Sequence, residues 1–424
     1  LEVNGNIINN GTIDGESSSK IYFGGNNLTN GSSALIDPYE FYFTKSGEQT
    51  AVGLNKFHAT VHTKINSGSI TSFGDSETLS LDYGSLTILS GGRLNISGTV
   101  TITGEGNIYD YGTLYVNSLS TLLINGDNGE NTSTALTLNV YTNQITGSDG
   151  SLRFTGYCQI LAQNNGSITG GSLNLILESG TLYLGPNTGS ETEIIINGGF
   201  ANYGGTFTTS PSIIIFNSDI VNAGTSNISR VDFRGSTITN TGNLNILYFL
   251  HFNSGGTQTV NGLTNLNIAV EGKVKGTTKL ILDNQYSTPE EQVLTLGNSC
   301  TFTIEENAEI EIDGSVTITG STGCSSVPND NCGNLIKYGK ITINSGKRLD
   351  ITCGEIQIHN TSFLGSGTLG LGQETTSSDL NDNTFINLNV AYIESPSLTV
   401  EILEGGCVEI VSGFNFVGPV HVKG

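Results

Sequence analysis

The chain has 424 residues, 57 of them glycine, only 13% charged residues, and neither tryptophan nor methionine. Its apolar fraction of 36% is low for a globular domain, yet the apolar residues are placed too regularly for a disordered one. A net charge of -22, from 16 basic against 38 acidic residues, excludes the basic stripe that a nucleic-acid partner requires, and no apolar run approaches the ~18 residues that cross a bilayer.

The first segment, Leu1-Glu2-Val3-Asn4-Gly5, reads as a strand; without an initiating Met or a signal peptide, the chain reads as a mature product or the ordered part of a longer one. Asn10-Gly11-Thr12-Ile13 follows as a turn opening a second strand. Residues 34–64 are more aromatic and carry little glycine, which predicts a lateral insertion or a longer strand pair. Within them, His58 and His62 lie four apart; on a helix that spacing suits a metal, but the local alternation predicts a strand and two surface histidines.

The clearest rhythm runs from Leu86 to Ile124. Apolar pairs recur at Leu86/Ile88, Leu94/Ile96, Val100/Ile102, Leu114/Val116 and Leu122/Ile124, with Ile108 paired to Asp110. Leu86 to Ile108 spans 22 positions, Leu94 to Leu114 spans 20, and Val100 to Leu122 spans 22. Alternation over so few residues is the signature of a strand with one inward face. Three strands per repeat predict a coil that stacks on the next one, because a single coil cannot bury its own apolar residues.

Internal repetition points the same way. Tyr83-Gly84-Ser85-Leu86-Thr87-Ile88 through Arg93-Leu94-Asn95-Ile96 returns as Tyr338-Gly339-Lys340-Ile341-Thr342-Ile343 through Arg348-Leu349-Asp350-Ile351. Shorter copies begin at Tyr111-Gly112-Thr113, Tyr203-Gly204-Gly205 and Thr241-Gly242-Asn243. Glycine permits a left-handed bend, and a nearby Asn or Asp can bond local backbone, so each copy predicts a corner. Loops are expected around 284–292, 324–332 and 372–384, none of them an interdomain linker. Residues 1–424 thus read as a single continuous all-β domain: a right-handed parallel β-helix with three strands and about 22 residues per coil, the handedness following from the rule for parallel crossovers.

The Asn/Asp-x-Gly-Thr corners and the Val-Thr-Ile-Thr-Gly strands at Val100–Gly104 and Val316–Gly320 resemble the β-helical passenger regions of bacterial adhesins and pectin-lyase-like solenoids in general. That resemblance is architectural and implies a place on or outside the cell, with adhesion, filament building or polysaccharide cleavage as functions. The paired Asp-Asp, Gly-His-Gly and Arg-Ile-Lys signatures of the polygalacturonase-like hydrolases are missing. Arg93 and Arg348 occupy equivalent repeat positions, which reads as structure.

Other chemistry is sparse. Glu309, Glu311 and Asp313 alternate with Ile310 and Ile312 and should all face outward, either as a calcium strip or as a solvated acidic strip. Of six cysteines, Cys324 and Cys332 bracket a short loop that a disulfide would staple. Sequons at Asn10, Asn27, Asn30, Asn95, Asn131, Asn165, Asn227 and Asn360 are glycosylation candidates if the chain is secreted. Tyr39, Tyr42, Tyr109 and Tyr115 are candidate stacking surfaces for sugars. The leading expectation is therefore an extracellular structural or adhesive surface protein, not an enzyme, with calcium as the only cofactor in view. Its expected partners are other copies of itself stacking end to end, surface proteins or glycans. The competing expectations are a polysaccharide-degrading lyase or glycoside hydrolase, and a non-catalytic glycan-binding solenoid.

Overall fold

Leu86 lies beside Ile108, Leu94 beside Leu114, and Val100 beside Leu122, each pair in parallel register. These are the steps of 22, 20 and 22 residues predicted from the apolar rhythm. The computed structural model describes residues 1–58, 61–81, 84–126, 135–141, 145–147, 149–162, 167–186, 193–263, 265–283, 292–297, 300–320, 334–337, 339–352, 356–371, 384–393, 395–403, 406–412, 415–416 and 420–422. They form a parallel β-solenoid with about 22 residues per turn. Among the described residues the helical content is one 3-10 turn, Leu54–Lys56, and no helix is long and apolar enough to cross a membrane.

Two compact units divide the chain, Leu1–Asn217 and Ser218–Gly424. In the first, one face stacks Lys20–Phe23, Glu40–Phe43, His62–Ile65, Ser85–Ile88, Asn107–Asp110 and Leu136–Val140. A second face stacks Asn27–Asn30, Gly47–Val52, Ser69–Phe73, Arg93–Ile96 and Thr113–Val116. The third runs through Glu77–Ser80, Thr99–Gly104, Thr121–Gly126 and Ser151–Thr155. In the second unit, Thr237–Asn240, Thr257–Asn261, Lys279–Asp283, Glu309–Asp313 and Lys340–Ile343 form one such stack. There Asn243–Phe252 passes through a corner without a break and pairs with both Leu266–Ile268 and Glu271–Val274.

The stretch 34–64 carries a strand of the wall itself. Its strand Glu40–Phe43 pairs with Lys20–Phe23 on one side and His62–Ile65 on the other, so it belongs to the wall and is no lateral insertion. The reason is its aromatic content. Phe41, Phe43 and Phe57 point inward and are fully buried, with ring centroids 5.0 and 4.9 Å apart for Phe41–Phe43 and Phe41–Phe57. Large rings fill the interior where other turns use Leu or Ile. Each buried Phe contributes about 1.5–3 kcal/mol, and favourable ring pairs add about 0.5–1.5 kcal/mol. The expected loops at 284–291, 324–332 and 372–383 lie outside the described residues; Gln292 and Thr384 begin strands.

Corners are held by a device that recurs in both units. Asn9 donates to the side-chain oxygen of Asn30 at 2.8 Å, and Asn30 donates to the carbonyl of Gly53 at 3.2 Å. Asn222 likewise donates to Asn240 at 2.8 Å, and Asn240 to the carbonyl of Gly262 at 3.2 Å. All four amides are buried. Gly53 and Gly262 have φ of +79° and +83°, and at both a Cβ would sit 1.8 Å from the carbonyl oxygen of the Asn below. Only glycine fits there. The next turn ends each column with a longer polar chain. Glu77 accepts from the backbone N–H of Gly53 at 2.8 Å, and Gln292 from that of Leu263 at 2.7 Å.

Candidate functional site

Outward residues of parallel turns form columns, because register partners on adjacent strands lie about 4.8 Å apart. On the first unit, two columns run side by side: Lys20, Glu40, His62 and Ser85 in one, and Tyr22, Tyr42 and Lys64 in the other. Tyr22 and Tyr42 stack with centroids 4.7 Å apart and planes 18° apart, and the Lys64 ammonium lies 5.1 Å from the Tyr42 ring. Glu40 pairs with Lys20 at 3.1 Å and accepts the Tyr42 hydroxyl. That hydroxyl and Lys20 hold the Glu40 carboxyl below its ordinary pKa despite burial. Burial, with the charge of Lys64, lowers the pKa of His62.

His62 Nδ1 is 2.7 Å from Ser85 Oγ, which places a base beside a hydroxyl. A nucleophile–base pair also needs a third group to orient the base. Glu40 is next in the column, but it is engaged by Lys20 and Tyr42, and Ser85 also donates to the Val61 carbonyl at 3.3 Å. The arrangement is a closed network tying successive turns together.

The second unit carries a different surface. Where Asn243–Phe252 rounds its corner, Leu247 and Tyr248 are 44% and 46% exposed, and Val270 on the following turn is 46% exposed. Arg230, the register partner of Phe249, sits 5.2 Å from the Tyr248 ring and 6.0 Å from the Phe249 ring. Phe249 stacks on His251 at 4.2 Å, and His251 Nε2 lies 2.8 Å from Glu271. Burial lowers the pKa of His251 against the pull of Glu271. The result is an exposed apolar ridge edged by a guanidinium, an imidazole and a carboxylate. The motifs legible in the sequence do not reach these residues: their signal is the unpunctuated run Ile246-Leu247-Tyr248-Phe249-Leu250-His251-Phe252.

The residues singled out from sequence fall as follows. Glu309, Glu311 and Asp313 do alternate outward. They meet Thr342, Lys279, Asn344 and Lys347 from neighbouring turns, with Asn344 Nδ2 donating to Glu311 at 2.8 Å and Lys347 Nζ 3.6 Å from Asp313. Lysines therefore stand beside Glu311 and Asp313, and no group of three or more His, Cys, Asp or Glu converges on a metal site among the described residues. His62 faces outward in its strand, while His58 follows the inward-packed Phe57 and bonds its backbone to Ile36. Tyr42 and Tyr109 lie in ring stacks, Tyr115 lies under Arg93 at 4.2 Å, and Tyr39 is half-buried. Arg93 and Arg348 donate alike, each at 2.6 Å, to Asn95 and Asp350 two residues on, which makes both structural.

Among the sequons, Asn10 and Asn27 are exposed, and Asn95 and Asn227 are half-buried. Asn30 is 4% exposed, and its amide donates to the Ala34 and Gly53 carbonyls. Asn131, Asn165, Cys324 and Cys332 lie outside the described residues, as does the side chain of Asn360. Cys158 and Cys300 are buried free thiols, each pushed up to about 12 by burial. No family model, curated protein or solved structure matches the chain.

Proposed function

We propose that this chain is an extracellular surface protein of structural and adhesive character, whose wall holds carbohydrate without cleaving it. The ridge of Leu247, Tyr248, Phe249 and Val270 carries this reading. A pyranose has an apolar C–H face and a rim of hydroxyls. Aromatic rings suit the first, and Arg230, His251 and Glu271 supply donors and acceptors for the second. The column spacing of a solenoid repeats such contacts along an extended polymer. The Glu40, Tyr42, His62 and Ser85 groups bond one another, which fits scaffold better than turnover.

The test is binding of the purified chain to immobilised neutral and acidic polysaccharides, with a parallel assay for released reducing ends or unsaturated products. Binding without product is expected, with Tyr248→Ala weakening it about tenfold, the scale of one lost stacking contact of ~1–1.5 kcal/mol. Product release would establish the competing enzyme reading. Binding indifferent to Tyr248→Ala and Arg230→Ala would remove the ridge from the proposal.

A further inference from the structure

A second aromatic cluster lies on the first unit, where the Asn107–Asp110 strand turns its corner. Tyr111 follows that strand and Tyr141 follows Leu136–Val140, the next strand of the same face. The two residues occupy equivalent positions on successive turns, with the Tyr141 backbone N–H donating to the Asp110 carbonyl at 3.0 Å. Their rings stack with centroids 4.1 Å apart and planes 17° apart. Tyr109 stands to the side, 6.4 and 6.3 Å from the other two. Tyr111 is 36% exposed, so a diffusing oxidant reaches it.

We propose that Tyr111 and Tyr141 are a site of oxidative coupling, at which a haem peroxidase and hydrogen peroxide join the two rings and staple neighbouring turns. Each phenol loses one electron and its hydroxyl proton to give a phenoxyl radical. The radicals combine between ring carbons ortho to the oxygens, forming one C–C bond. Each ring then regains aromaticity as its ortho C–H breaks and a proton returns to the oxygen. The pair has lost two electrons and two protons in total; peroxide accepts both, its O–O bond breaks, and two waters leave.

The stack prepares this step in two ways. Near-parallel rings at 4.1 Å bring the reactive ortho carbons of one over the other. Fixed positions on adjacent strands make the second radical an intramolecular partner, which favours coupling within the chain over coupling between chains. The Tyr22–Tyr42 stack is wider, at 4.7 Å, and its Tyr42 hydroxyl is engaged as a donor to Glu40. The proposal relies on the extracellular reading only for its source of oxidant; the chemistry is tested on the purified chain.

The experiment treats the full chain with a haem peroxidase and limiting hydrogen peroxide, then measures intact mass and maps peptides after cleavage at Asp and Glu. Asp127 and Glu130 lie between the two tyrosines, so cleavage separates them unless they are joined. The expected product is a monomer lighter by two hydrogens, with the Tyr111 and Tyr141 peptides linked and a raised melting temperature. Tyr111→Phe and Tyr141→Phe keep the ring stack but should abolish the link, while Tyr109→Phe should retain it. Links that form only between chains, through Tyr203 at 57% exposure for example, would overturn the proposal. So would an intramolecular link that survives Tyr141→Phe. Neither result would bear on carbohydrate binding at the ridge of the other unit.

Discussion

Asp110 takes a corner position, Asp110-Tyr111-Gly112-Thr113, whose counterpart Asn222-Ala223-Gly224-Thr225 begins with an amide. Its side chain is fully buried, and neither carboxyl oxygen accepts a well-formed hydrogen bond from a described residue. Burial lifts its pKa to about 7 against the opposing pull of the Gly112 and Leu114 N–H groups. An unfolded Asp titrates near ~3.9, so the folded state holds this proton more tightly. The penalty is absent below about pH 4, grows through the window from 4 to 7, and is complete above 7. Asp110→Asn is therefore expected to stabilise the chain at pH 8 by on the order of 2–4 kcal/mol, with the gain fading toward pH 4. Melting temperatures of both proteins across that range decide it; a gain independent of pH would assign the effect to packing. The chemistry of this residue was legible as a corner, since Asp follows the inward Ile108 by two. So was its inward position, from the same alternation; what faces it from neighbouring turns was not, because one repeat does not show its neighbours.

Among elements, the corner columns show how much one polar side chain carries. Asn222, Asn240 and Gly262 form an inner column, while Asn227, Asn245 and Asn267 form an outer one with amide bonds of 2.9 and 2.8 Å. The composition is alike and the surroundings differ. Asn240→Ala strips a buried acceptor and a buried donor of their partners and should cost about 1–3 kcal/mol in urea unfolding. Asn245→Ala lets water replace the lost bonds and should stay within about 0.5 kcal/mol. Equal effects at the two positions would show that burial is not what sets the value of the column. The continuous strand Asn243–Phe252 marks where sequence reading fails. Leu244, Ile246, Leu250 and Phe252 are inward, as alternation requires, and the same parity assigns Tyr248 inward. The strand bends at its corner and turns Tyr248 out, and a bend inside an unbroken strand leaves no glycine to announce it.

For the whole molecule, the parallel wall with its 20- to 22-residue steps was legible because aliphatic pairs such as Leu86/Ile88 and Leu94/Ile96 recur inside it. Contacts between side chains of different turns were not. Tyr111 and Tyr141 are 30 positions apart, and Glu40, His62 and Ser85 are 22 and 23 apart, so a single fixed period does not align them. Register is nevertheless the property on which stability rests, since each turn buries its apolar residues against its neighbours. Deleting residues 86–107 brings Ile108 to the place of Leu86 and preserves that register. Deleting only 86–96 removes part of a turn and breaks it. The first deletion should keep a β-rich circular dichroism spectrum and a cooperative melt, and the second should lose both. Equal tolerance of the two would refute the stacking account.

Cys158 is the only cysteine between Leu1 and Asn217, and it is sealed between Leu136 and Leu182 on adjacent strands. Its thiol stays protonated and unreachable while the wall is shut. Alkylation of that sulfur must wait for the strands to part, so this unit carries its own clock for breathing motions.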